Sequence, residues 1–525
     1  MTKRKSLILA GALFGMLCIA TLGEAATYTV SPSGSNTGGD GSTTRPWATL
    51  SYACSKVKTA GDTIYLNAGT YNDSVQCVLA PGVNIQGAGK TSTTIYSSLN
   101  DFYISAVSAP HANGNQKISG FKLDGNNRTL AKGINITGRS YVTVDNVDFN
   151  KIRSNAIKLQ GIEWWTNADR DWPPVPPPVY AKGCNVTNVK MTGCSDVNYQ
   201  ASFWVQSVEN LLIDNVVIDE SVATGGKGNA LKSWPGWFRS STIRNSSFTV
   251  DQANPGEIIS IEIWNFEKDC EIYNNTFTGG FVSLVAGRKD GGTWALKMHD
   301  NTLINTKPFG VAHELSVDDT DFYNNYIVGE ALGIWAASHM YNMDGMSNIR
   351  VHHNTIYNAN SQGIVLQNGP AAVPFDNIQI YNNVIDGTNR TWPDAGITVS
   401  PNLGTNFTNV KIMNNIFNNL TYGVYFYGGN SSKVISPRIT YNDFFNVTTQ
   451  VGNDGATSPV ISNNLTVDPQ FAKTGNRPQY YKLLPTSPLI NKGTNVGLAF
   501  TGAAPEIGAF ELSTIAAPKN LRIVQ

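Results

Sequence analysis

Seven stretches decide the fold: CEIYNNTF (270–277), LKMHDNTL (296–303), DFYNNYI (321–327), IRVHHNTI (349–356), IQIYNNVI (378–385), VKIMNNIF (410–417) and RITYNDFF (438–445). Each reads as a short strand, an Asn-containing turn and a second short strand. The same unit recurs upstream as VTVDNVDF (142–149), VTNVKM (186–191), LLIDNVVI (211–218) and STIRNSSF (241–248). Aligned on Asn215, Asn245, Asn275, Asn301, Asn325, Asn354, Asn383, Asn415 and Asn442, the units are spaced by 30, 30, 26, 24, 29, 29, 32 and 27 residues. A step of that size is one turn of a β-solenoid. Asn tolerates the left-handed conformation and its amide can bond to the same amide one rung away, so the repeated Asn reads as a turn ladder. Alternation of apolar and polar residues around each turn puts Val, Ile, Leu and Phe inside the coil. Stacked rungs then bury a continuous core that no rung could bury alone. The expected fold is all-β, a single-stranded parallel β-helix.

Working outward to the N-terminus, Lys3, Arg4 and Lys5 precede an uncharged apolar run from Leu7 to Leu22 and the small residues Gly23, Ala25 and Ala26. This has the form of a bacterial secretory signal, residues 1–25, and predicts a periplasmic or extracellular protein. No other stretch approaches the apolar length of a membrane span. The β-helix domain is expected over 26–512, with 513–525 as a tail or linker. Lys plus Arg and Asp plus Glu balance at 38 each, which argues against nucleic acid or an anionic membrane as partner. Charged residues make up only 14% and glycines number 49, a composition of short strands and tight turns. A monomer is expected.

PWATLSYACSKV (46–57) has helical spacing and predicts an N-terminal capping helix that closes the open end of the coil. EWWTNADRDWPPVPPPVY (163–180) lies in an interruption of the repeat between 161 and 182, and its prolines predict a projecting loop. In an oxidising compartment Cys54 can pair with Cys77 and Cys184 with Cys194, leaving Cys270 over, although spacing does not fix the pairing.

The opening TYTVSPSGSNTGGDGSTTRPWATLSYACSKVKTAGDTIYLNAGTY (27–71) and the closing DPQFAKTG (468–475), YYKLLPTSPLINKGTN (480–495) and PEIGAFE (505–511) resemble the ends of secreted right-handed parallel β-helix proteins of the pectate-lyase-like superfamily. The resemblance implies the right-handed form of the solenoid and a polysaccharide as partner. EIISIEIWNFEKDCEIYNNTFTGGFVSLVAGRKD (257–290) is similar to a region of the alginate lyase and chondroitinase B branch, in which a Lys acts as base, an Arg assists and acidic residues hold calcium. Glu257 matches an acidic position of that branch, but Glu262 stands where the Lys belongs and Val285 where the Arg belongs. Lys232, Lys268 or Arg288 would have to substitute. Calcium is the one cofactor the resemblance implies, and the metal ligands stay unassigned.

Strands AIKLQ, SFWVQ, ALKSW, SIEIW, VSLVAG, VAHEL and IWAAS place Lys158, Gln160, Trp204, Gln206, Lys232, Trp234, Glu262, Trp264 and Trp335 outward on one face, with either His313 or Glu314. Exposed tryptophan is costly unless a partner covers it, so Trp204, Trp234, Trp264 and Trp335 are expected to line a sugar-binding groove, with Arg288 nearby. Lys232, Glu262, His313 and Glu314 are the catalytic candidates. For β-elimination beside a uronate, Lys232 or His313 would be the neutral base. For inverting hydrolysis, Glu262 and Glu314 lie two rungs, about 9.6 Å, apart. That is near the upper end of the roughly 6.5–9.5 Å separation of an inverting pair. His339, Asp344 and Arg350 flank HMYNMDGMSN (339–348) as a candidate groove wall. Asp318, Asp319 and Asp321 offer oxygen ligands without an ordered calcium loop. The leading expectation is a uronate-cleaving polysaccharide lyase. Its rivals are an inverting glycoside hydrolase using Glu262 and Glu314, and a non-catalytic glycan-binding or envelope protein.

Overall fold

A computed structural model describes residues 24–163, 175–197, 199–222, 228–234, 236–251, 258–305, 313–329, 331–335, 345–359, 362–368, 372–387, 395–401, 404–455 and 457–512. The signal segment (apart from 24 and 25), most of the loop at 164–174, and the tail at 513–525 lie outside these residues.

One coil shows how the chain builds the whole. Asn229–Ser233 forms a strand of a first sheet, A. Trp237 then turns the corner at φ 77°, and Phe238–Arg239 makes a short flanking strand. Ser240, at φ 44°, leads into Thr242–Arg244 of sheet B. Asn245, at φ 52°, turns the chain into Ser247–Thr249 of sheet C. The next coil repeats the path in parallel register, Lys232 beside Glu262, Ile243 beside Ile272 and Phe248 beside Phe277. About 12 such turns make a right-handed parallel β-helix. One apolar core runs unbroken from Val30 to Phe444. In sheet C its inward column stacks Phe248 on Phe277 and Phe417 on Phe444, with ring centroids 5.2 and 5.0 Å apart.

The turn between sheets B and C divides its work between two adjacent residues. The left-handed position is held by Asn215, Asn245, Asn274, Asp300, Asn324, His353, Asn382 and Asn414, all with φ between 52 and 55°. The residue after it points inward, and there Asn275, Asn301, Asn325, Asn354, Asn383, Asn415 and Asn442 form the ladder. Each donates from Nδ2 to the Oδ1 of the next at 2.9–3.2 Å, ending on Asn464. The sequence alignment is therefore one residue out of phase at Asn215 and Asn245, which belong to the left-handed row. Val216 and Ser246 occupy the inward slot in their rungs, and the Ser246 N–H donates to Asn275 Oδ1 at 3.0 Å.

The capping helix spans Leu50–Lys56, shorter than the pattern from Pro46 suggests, because Thr49 rather than Pro46 starts it. The Thr49 hydroxyl accepts the Tyr52 N–H at 3.3 Å. Cys54 bonds to Cys77 as expected. Cys184 and Cys194 do not pair: both are buried thiols separated by the two strands Asn185–Thr187 and Lys190–Thr192 of one coil, and Cys270 is a third. Past Asn464 the chain folds back along the last coils. Asn382 Nδ2 donates to Glu506 O, and the Tyr481 hydroxyl donates to Asp386 at 2.7 Å, around a small second core. No helix among the described residues is long and apolar enough to cross a membrane.

Candidate functional site

Strand register in sheet A sets one outward column, one residue per rung: Lys158, Trp204, Lys232, Glu262, Ser283, Glu314 and Gly333. The alternation that sends Leu231, Ile261, Ile263 and Leu284 into the core sends these residues to the other side. Glu262 and Glu314 are two rungs apart with Ser283 between them. Lys232, Glu262 and Glu314 keep only 8, 9 and 8% of their surface, so they form the floor of the face.

Lys232 Nζ lies 2.7 Å from Glu262 Oε2, and the Trp264 indole N–H donates to Glu262 Oε1 at 3.1 Å. The Ser283 hydroxyl donates to Glu314 Oε2 at 2.6 Å and the Ser316 hydroxyl to Oε1 at 3.2 Å. Each carboxylate thus accepts one donor from the rung before it and one from its own strand.

Several expected members stand elsewhere. His313 occupies the inward column beside Leu332, and its Nδ1 accepts the Val282 N–H at 3.3 Å. Burial pushes its imidazole down to about 4, so it is a neutral core histidine out of reach of the groove. Glu314 is the outward member of that pair. Arg288 lies past the corner at Ala286 (φ 55°), beside Glu267 on the flanking strand. It joins Arg239, Asp290 and Glu267 in a separate charged cluster, in which the Tyr180 hydroxyl donates to Glu267 at 2.5 Å. Lys268 follows that cluster at a turn. Arg350 belongs to sheet B, paired with Asp321 and stacked 4.2 Å over Trp294, and so is no wall of this groove. His339, Asp344, Glu257 and the Trp335 side chain lie outside the described residues.

The tryptophans are less open than expected. Trp204 retains 9% and Trp264 5% of its surface, and Trp234 packs partly against the core. They are edges of the floor rather than free platforms. Trp204 shares the column of Lys232, whereas Trp264 sits two residues further along its strand.

The acidic trio does not gather round one point. Asp318 accepts the Ser347 N–H, Asp319 pairs with Lys289 at 3.1 Å, and Asp321 binds Arg350 and His352. No group of three or more His, Cys, Asp or Glu side chains among the described residues is arranged to hold a metal. Among the described residues Asp318, Asp319 and Asp321 therefore make no shared calcium site, and Glu257, the acidic position of the resemblance, lies outside them.

The match to known families is partial. Residues 317–496, about a third of the chain, match a family model described as "Disaggregatase related". That segment begins just beyond Ser316, so Lys232, Glu262 and Glu314 all precede it. No curated protein matches the chain. Among solved structures, the Dettilon tailspike protein is similar with 12% identity over 79% of this chain and a TM-score of 0.38. An alginate lyase from Paenibacillus sp. has 12% identity over 71% of this chain, 97% of its own length and a TM-score of 0.35. A tailspike of E. coli bacteriophage HK620, solved with a hexasaccharide, has 10% identity over 79% of this chain, 74% of its own length and a TM-score of 0.42. The chain spans 63% of the length of the Dettilon protein, less than two thirds.

Proposed function

We propose that this chain is an exported polysaccharide-active enzyme that hydrolyses a glycan laid along sheet A, with Glu262 and Glu314 as its acid–base pair. The observation that carries the proposal is the single outward column in which the two carboxylates stand two rungs apart on a rigid sheet, about 9.6 Å by strand spacing. Glu262, bound to Lys232, serves as base toward water. Glu314, two rungs along the same face, takes the acid's role and gives its proton to the leaving oxygen.

The lyase reading needs a neutral base. His313 faces the core, and the Lys232 amine is taken up by Glu262 at 2.7 Å. Hydrolysis is therefore favoured over β-elimination, and pure glycan binding is the remaining rival.

Two-rung spacing implies inversion, because a water must fit between base and anomeric carbon. Proton NMR of the first products from a susceptible glycan tests this. The fresh reducing end should carry the anomeric configuration opposite to that of the cleaved bond. Retained configuration, or an unsaturated sugar at the new end, would overturn the assignment.

A further inference from the structure

At the N-terminal end of the catalytic column the chain encloses a cavity of about 230 Å³, room for one sugar ring, beside Trp204. Its lining includes Lys132, Lys158, Asn155, Gln200 and Gln206. Trp204 is two rungs from Glu262 through Lys232, so the cavity lies on the same track as the reacting groups.

The charges around this cavity are unbalanced. Lys158 pairs with Glu163 at 2.6 Å, but Lys132 has no ion pair among the described residues, and its ammonium stands 5.0 Å over the Phe102 ring. Two ammonium groups and one carboxylate leave one positive charge at a partly enclosed site. The carboxylate is also the exchangeable member: the Glu163 side chain is 55% exposed, against 20% for Lys158. Glu163 reaches in from solvent and occupies, on Lys158, the place an incoming anion would take. The Asn155 side-chain amide donates to Gln200 Oε1 at 3.3 Å, which fixes a polar part of the lining.

We infer that this cavity is a subsite for an acidic sugar residue, whose carboxylate or sulfate displaces Glu163 from Lys158 and is shared with Lys132 while the ring lies against Trp204. The inference rests on the glycan-active reading of the same face and adds the charge of the substrate. A neutral sugar's hydroxyls accept only ordinary hydrogen bonds from the two ammonium groups, whereas an anion gains stronger, doubly charged ones in a partly dehydrated place. The net charge of zero restricts this preference to the cavity rather than the whole surface.

The test is calorimetric titration of the full mature chain carrying Glu314→Gln, so that binding is read without turnover. The probes are an unsulfated chondroitin tetrasaccharide, a sulfated neocarrageenan tetrasaccharide and neutral xylotetraose. The acidic probes should bind at least about tenfold more tightly than the neutral one, and Lys132→Met and Lys158→Met should each remove about tenfold of that preference. Glu163→Gln should tighten the acidic probes and leave xylotetraose unchanged, which a merely destabilised loop would not do. Tighter binding of the chondroitin probe assigns a carboxylate, and of the carrageenan probe a sulfate. Equal binding of acidic and neutral probes, or weaker acidic binding in Glu163→Gln, would overturn the inference. The two proposals fail separately. Acid-selective binding without any cleavage by the unsubstituted chain would sink hydrolysis alone, and cleavage of neutral glycans without acid selectivity would sink the subsite alone.

Discussion

Asn354 is the residue through which the turn ladder can be measured. Its Oδ1 accepts the Asn325 N–H at 2.8 Å and Nδ2–H at 3.1 Å, and its own Nδ2 donates to Asn383 Oδ1 at 3.0 Å and Phe322 O at 3.1 Å. In Asn354→Ala the Asn325 side-chain amide keeps Met298 O, and Asn383 Oδ1 keeps the Asn354 N–H. The Asn325 backbone N–H loses its acceptor inside a wholly buried turn. One orphaned buried amide costs about 1–3 kcal/mol and each lost ladder bond about 1 kcal/mol, so the substitution should cost about 3–5 kcal/mol. Because each rung contacts only its neighbours, the loss should be local. Hydrogen exchange followed by mass spectrometry should show faster exchange in peptides covering 320–328, 349–357 and 378–386, with no change near 84–96. Asn324→Gly, at the exposed left-handed position beside the ladder, should be close to neutral. A cost below about 1 kcal/mol for Asn354→Ala, or one no larger than that of Asn324→Gly, would refute the division of labour between the two rows.

Three further outcomes follow from buried groups. Burial pushes the Glu220 carboxyl up to about 7 against the pull of donors from Ser202, Cys194 and Ser195, while the unfolded carboxyl titrates near 4.5. Its contribution to stability is complete below 4.5 and is lost as pH rises through 7, so Glu220→Gln should flatten the fall in unfolding free energy, read from urea titrations between pH 4.5 and 8, by up to about 3 kcal/mol; a fall parallel to that of the unsubstituted chain would contradict this. The Cys54–Cys77 bond closes a separation of 23 residues, and Cys54→Ser with Cys77→Ser should cost about 3 kcal/mol, read as a lower denaturation midpoint that reductant no longer changes. His313→Leu, which takes the Nδ1 acceptor from the buried Val282 N–H, should cost about 1–3 kcal/mol of stability and leave any cleavage by the folded protein intact. Loss of cleavage in a folded His313→Leu protein would return this residue to the mechanism.

The solenoid was legible because its period is written in residues that only a stacked coil can satisfy, the Asn turns and the alternating aliphatics. What the repeat hid was phase. Asn-Asn pairs such as Asn274-Asn275 look the same shifted by one, and only the inward hydrogen bonds separate the ladder from the left-handed row. The column of Lys232, Glu262 and Glu314 was legible from strand alternation, as was the choice between His313 and Glu314 that it left open. Lys132, Asn155, Glu163 and Gln200 were not, since they come from loops and strand ends whose approach to Trp204 depends on three-dimensional register. The second disulfide failed for a related reason: a separation of ten residues from Cys184 to Cys194 looks close along the chain, but here the segment turns a corner of the coil. Tryptophan exposure was overestimated because alternation gives the side a residue faces, not what covers it.

The central claim is tested most directly by incubating the mature chain, Glu262→Gln and Glu314→Gln with a panel of acidic and neutral polysaccharides, following reducing ends together with the ultraviolet absorbance of unsaturated uronates. The account predicts that reducing ends appear on at least one glycan without that absorbance, and that each substitution slows their release by about 10²-fold or more. Rising absorbance, undiminished release by Glu314→Gln, or silence in both channels across the panel would contradict it.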